Sequence, residues 1–159
     1  MKLAKLVKSN LDDTILELVC VSDHKTLMTW ACDCAERSLP YFEKNYPNDP
    51  RPRIAVEAGR TWARTGIFKM ADVRKASLDA HAAARAVTDD DPARSAARAA
   101  GQAMATAHVP THSYAASVYA ATAVRDSTID GDKAAAVAKE RQWQYKHLLE
   151  LQNPSSTTT

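Results

Sequence analysis

Glycine is scarce in this chain, with only four in 159 residues, and runs of β-branched residues are nearly absent. The shortage of glycine leaves no glycine-rich loop to cradle a phosphate, and no Ser stands in a G-x-S-x-G elbow. The shortage of strand signals leaves nothing for a sheet to pair: the one strand-like run, TILELVCV at 14–21, has no partner and reads as a short helix. Cysteine numbers three. Cys32 and Cys34 stand two apart, which on a helix turns them to opposite sides, so they neither pair nor share a metal. They read as small buried residues of a reducing compartment. No window approaches 18 apolar residues, so no membrane span is expected. MKLAKLVKSNLDD lacks the apolar core of a signal peptide, and a cytoplasmic protein is expected. Charge of one sign is also missing. Lys and Arg total 21 against 19 Asp and Glu, a net charge of +2, which argues against a dedicated nucleic-acid binder.

What the chain has instead is alanine: 30 residues, 24 of them between 71 and 138. Alanine is the strongest helix former, and a chain of this length buries roughly 70% of its unfolded surface. The expected fold is all-α: a compact single-domain bundle of about six to seven mostly antiparallel helices over residues 1–152, followed by a polar, disordered tail at 153–159. Ser22 is the expected N-cap of a helix running to about Ser38 or Tyr46, kinked or split at Pro40. Asp49 caps the next helix, with Pro50 and Pro52 in its first turn and Gly66 at its left-handed C-cap. Further helices are expected over about 70–87, from Asp91-Pro92 to about His108, from Thr111 to about Arg125, and from about Lys133 to Gln152 with Asp130 or Asp132 as cap.

In the helix after Asp49, a 3.6 spacing places Ile54, Ala58, Thr61, Trp62 and Thr65 on one face and Arg53, Glu57, Arg60 and Arg64 on another. The second face reads either as a solvated stripe of intrahelical ion pairs or as something sharper. Arg51 and Arg53 sit where the helix dipole disfavours cations, so they are candidates to meet acids from elsewhere, Asp33 and Glu36 of the preceding helix above all. Ala97, Gly101, Ala105 and His108 share one face, a device for close helix approach. Arg94 and Arg98 read as solvent-facing. The last helix, with Trp143, Tyr145, Leu148, Leu149 and Leu151, reads as a packing helix.

Catalytic and metal chemistry find little support. His108 and His112 have the i, i+4 spacing of a zinc pair, but Pro110 interrupts the helix between them. A third ligand would have to come from His81, Glu57 or Asp33. His24 is read, like the others, as a hydrogen-bonded structural histidine. A polar cluster of Asp33, Glu36, Glu57, Arg60, His81, His108 and His112 is the one arrangement that would suit a small helical enzyme or metal-binding protein. No catalytic residue, metal or cofactor is expected. The arginines at 74, 85, 94, 98 and 125 are spread over three helices with Asp79 and Asp89–Asp91 interleaved, which disfavours nucleic acid.

Several segments together carry a resemblance: SDHKTLMTWACDCAERSLPYFEKNYPNDPRPRIAVEAGRTWARTG, KASLDAHAAARAV, ARAAGQAMATAHVPTHS and ERQWQYKHLLEL. The D-x-R-P-R run with its downstream G-R-x-W, and A-x-A-H-V-x-x-H, are the distinctive parts. Over about residues 14–152 the chain resembles the putative immunity protein family, of the immunity-five-like kind, of bacterial toxin–immunity systems. The resemblance implies a small helical cytoplasmic protein that neutralises a cognate protein toxin by binding it, without enzymatic turnover. The expected partner-facing residues are Arg51, Arg53, Trp30 and Tyr46 as anchors, with Asp89, Asp90 and Asp91 as a rim that steers a basic target. Trp30 and Trp62 have core packing as their alternative role, and the aspartate run has solvation of a helix start as its own. A homo-oligomeric scaffold is a further alternative.

Overall fold

The computed structural model of the protein describes residues 5–154, and these residues are helical with no strand. The helices are α1 (Asp12–Cys20), α2 (His24–Glu43), α3 (Arg51–Thr65), α4 (Met70–Ala86), α5 (Asp91–Ala105), α6 (His112–Ser127) and α7 (Lys133–Gln152). They form two layers. In one, α2 lies between α3 and α7; in the other, α5 lies between α4 and α6. The central helices α2 and α5 pack across the layer boundary, and α1 rests against α6 and α7.

Sequence chemistry explains the helix ends. Asp90 and Asp132 accept backbone N–H bonds from Ala93 and Ala135, closing the starts of α5 and α7. Asp49 Oδ1 accepts the Arg51 N–H at the start of α3, and Gly66 ends that helix at φ 68°, a conformation that costs glycine least. The N-cap of α2 is Asp23, which accepts from the Thr26 N–H, and not Ser22, whose hydroxyl donates back to the Leu18 carbonyl at the end of α1. Pro40 does not end α2, which runs on to Glu43. The expected disordered tail falls partly within the described residues: Asn153 closes α7 through its N–H on the Leu149 carbonyl, and residues 155–159 lie outside them.

The layers close on small residues. α5 buries Ala93, Ala96, Ala97, Ala99, Ala100 and Ala103, which lets its neighbours approach its backbone. Trp30 is the largest side chain of the core, fully buried, with its indole N–H donated to the Gln144 carbonyl at 2.8 Å. The expected apolar face of α3 is corrected. Ile54 is 52% exposed, while Pro52, Ala55, Val56, Gly59, Trp62 and Ala63 face inward. The reason lies at Gly59, where a Cβ would come within 2.7 Å of Cys32 Sγ. Such close approach turns the small-residue side of α3 toward α2 and leaves the bulkier Ile54 outside.

Candidate functional site

The outer side of the first layer is covered by a continuous polar network. On α2 the 3–4 spacing of Asp33, Glu36, Arg37 and Glu43 puts these groups along one side, and Arg53, Glu57 and Arg60 meet them from α3. Arg53 is a two-way fork. Its Nη1 donates to Glu36 at 2.6 Å and its Nη2 to Glu43 at 2.6 Å, with Glu57 at 3.6 Å. The hydrogen bond that Arg53 donates to Glu43, with Glu36 adding to it, outweighs desolvation and holds the guanidinium in its charged form. Arg60 Nη1 donates to Asp33 Oδ1 at 2.7 Å, and its Nη2 lies 3.6 Å from Glu36.

From α7 the network continues through Trp143, which the sequence reading assigned to packing, and through His147 and Glu140, which it passed over. His147 Nε2 lies 2.7 Å from Asp33 Oδ2. Its ring stacks on Trp143, centroids 4.7 Å apart, and Arg37 lies over the Trp143 ring at 3.9 Å. Arg37 also makes a bidentate pair with Glu140, both bonds 2.9 Å, which raises the guanidinium pKa. The spacing of Glu140, Trp143 and His147 on α7 is the signal that could have found them. Five carboxylates (Asp33, Glu36, Glu43, Glu57, Glu140) thus face three guanidiniums (Arg37, Arg53, Arg60), an acidic excess.

The remaining expected residues fall elsewhere. Arg51 does not reach Asp33 or Glu36; it pairs with Asp49, two residues back, at 2.7 Å, and that bond holds the Asp49 carboxyl below its usual range. Trp30 is removed from the partner-facing set, because a side chain with 0% exposure meets no partner unless the core opens. Tyr46 stacks on Phe42, centroids 5.1 Å apart, just past the end of α2. Asp90 there accepts from Asn45 Nδ2 at 2.6 Å while capping α5; Asp91 is matched by Arg94, and Asp89 adopts a left-handed φ of 52°.

The expected polar cluster does not exist as one unit. Its carboxylates and Arg60 belong to the first layer, whereas His81 and His112 belong to the second and His108 is exposed. The core of the two layers stands between them, so the His–carboxylate arrangement is corrected to two separate groups. Among the described residues no three His, Cys, Asp or Glu side chains are grouped to hold a metal ion. His24 bonds the Thr106 carbonyl. Arg94 and Arg98 are half-buried and bonded rather than solvent-facing: Arg94 donates to Asp91 and the Val87 carbonyl, and Arg98 to His81. A groove of about 730 Å³ lies between residues 5–11 and the start of α7, lined by Leu6, Val7 and Val137 among others, with no acid, histidine or cysteine in its wall.

These features define a two-layer α-helical protein with an ordered, acid-rich outer face. The chain belongs to the Imm-5 like putative immunity protein family, whose model matches residues 17–151. No curated protein and no solved structure matches it. Among the described residues no helix is long and apolar enough to cross a membrane.

Proposed function

We propose that this protein is an immunity protein that neutralises a cognate bacterial toxin by binding it, and that the α3–α2–α7 face is the surface that does so. Family membership supports the general role. The observation that carries the choice of surface is the Glu43–Arg53–Glu36–Arg60–Asp33–His147 network, pre-ordered on three helices before any partner arrives. Side chains already fixed lose little rotamer freedom on docking. The excess of carboxylates suits a partner with a basic surface, which they steer by long-range attraction. Trp143, half-buried and held between Arg37 and His147, takes the anchor role first assigned to Trp30. Arg53 stays in the set, and Arg51, Tyr46 and Asp89–Asp91 form a rim beyond the end of α2. A patch of about 800 Å² per partner is enough for a stable complex.

The test is co-expression with toxin genes neighbouring this one, reading growth rescue and a stoichiometric complex. Glu57→Lys and Glu150→Lys, both at exposed positions, should slow association and flatten its loss with salt, because less attraction is left to screen, and Trp143→Ala should abolish rescue while the helical circular dichroism is kept. Failure to neutralise any neighbouring toxin would remove the proposed role. Rescue indifferent to all three substitutions would move the interface to another face.

A further inference from the structure

The outer side of the second layer has the opposite character. His81 and Arg85 stand one turn apart on α4, Arg98 and Gln102 one turn apart on α5, and His112 opens α6. Arg98 Nη1 lies 2.9 Å from His81 Nδ1, and His112 Nδ1 lies 2.8 Å from Gln102 Oε1. Burial first, then the charges of Arg98, Arg85 and His112, push the His81 imidazole down to about 4, so at neutral pH its Nδ1 lone pair accepts from the guanidinium. Burial, then His108, lowers His112 as well.

Arg98 breaks a rule kept elsewhere. Among the described residues the other buried or half-buried arginines, Arg51, Arg53, Arg60, Arg94, Arg125 and Arg141, each have a carboxylate partner. Half-buried Arg98 has none, and neither has exposed Arg85. The charged groups close enough to act on Arg98 are Arg85 and Arg94, both repulsive, with the Tyr119 hydroxyl beside them. Partial burial of a cation among cations is unfavourable unless an anion completes the site.

We propose that Arg98 and Arg85, with His81 and His112 at their side, bind a phosphate dianion, either free phosphate or the phosphate of a phosphomonoester. Two unmatched guanidiniums balance a dianion. Their planar N–H forks fit the edges of a tetrahedral oxyanion, and Gln102 holds the His112 ring in place. The bound anion would also favour protonation of both imidazoles; at His81 this gives up the hydrogen bond from Arg98 and frees that guanidinium N–H for the anion.

The experiment titrates the full chain with inorganic phosphate against chloride at matched ionic strength, following the histidine C2–H signals across pH by NMR. At neutral to mildly alkaline pH, where phosphate is chiefly the dianion, it should shift the His81 and His112 signals saturably in the millimolar range. Arg98→Gln and, independently, Arg85→Gln at its exposed position should each weaken that response about tenfold or more, while Lys139→Gln on the opposite layer should not. Glycerol phosphate binding more tightly than phosphate assigns the site to a phosphomonoester; weaker binding assigns it to the free ion. Absence of a saturable shift, or an undiminished shift in both arginine variants, overturns the proposal.

Discussion

Removing the Asp12 carboxylate while leaving Arg141 in place tests how the N-terminal helix is tied to the two layers. Arg141 is fully buried. Its Nη2 donates to Asp12 Oδ1 at 2.8 Å, and its Nη1 donates to Ser117 Oγ at 2.9 Å and Gln144 Oε1 at 2.8 Å. Among the described residues its Nε has no hydrogen-bond partner, and Asp12 is the one carboxylate paired with this buried charge. Breaking a fully buried pair by removing one partner costs about 3–5 kcal/mol. The Asp12 side chain is 24% exposed, so water can partly replace it, and about 2–3 kcal/mol is expected for Asp12→Ala. Asp13→Ala, in the same first helical turn but exposed, controls for the helix dipole, worth about 0.3–1 kcal/mol. Arg141→Met removes the cation together with its orphaned Nε. Asp12→Ala added to Arg141→Met should then cost no more than about 1 kcal/mol, a coupling of about 2 kcal/mol in the cycle. Urea unfolding followed by circular dichroism, with unchanged m-values, reads the parent and all four variants. Additive effects, or an Asp12→Ala cost no larger than that of Asp13→Ala, would show that the buried guanidinium does not depend on this carboxylate.

Gly59→Ala should destabilise by about 1–2 kcal/mol even though alanine favours helix, because the new Cβ would lie 2.7 Å from Cys32 Sγ and 3.1 Å from Met28 Sδ. A urea midpoint above that of the parent would contradict the close α2–α3 approach. Thiol labelling of the native protein should stop at Cys20, since burial pushes the Cys32 thiol up to about 12 and Cys34 well up too, while Cys20 is exposed. Labelling of all three at one rate without denaturant would refute that burial. Stability should fall as pH drops from 6.5 toward about 4, because the unfolded His81 takes up a proton across that window and the folded one, held down by burial, Arg98, Arg85 and His112, does not. His81→Asn should flatten that part of the urea profile, and an identical pH slope in parent and variant would rule the mechanism out.

Local chemistry made most of the helices legible before the structure. Asp91-Pro92, Asp132 and Gly66 punctuate them through interactions that span a few residues, and alanine density names the class. Packing direction was not legible in α3, because Ile54 is its most hydrophobic residue and yet points outward. Burial there follows shape: Gly59 and Ala55 let the backbone approach, and a hydropathy pattern does not record approach. The Arg53–Glu36 pair was accessible because α2 and α3 are consecutive and the two groups are 17 positions apart. Arg37–Glu140 and Asp33–His147 join residues 103 and 114 positions apart, and no spacing rule reaches that far. His147 and Glu140 were hidden because α7 was read from its leucines and aromatics.

The net charge of +2 likewise leaves the distribution of charge unread. A sum over the chain cannot distinguish a surface of mingled charge from two surfaces of opposite sign. Here α2 carries carboxylates outward on one layer, and α5 carries guanidiniums outward on the other. Electrostatic attraction to a partner is set by the charges within about one Debye length of the approaching group, about 8 Å at physiological ionic strength, and a helical layer is thicker than that. A basic toxin approaching α2 therefore meets chiefly the acidic face, and an anion approaching α5 meets chiefly the cationic one. Near-neutral composition counts against a uniformly charged binder, but it is no argument against either of these sites. If the two sites are independent, charge reversal on one should leave the affinity of the other unchanged at that salt concentration, and coupling between them would appear only as the ionic strength is lowered and the screening length comes to exceed the thickness of a layer.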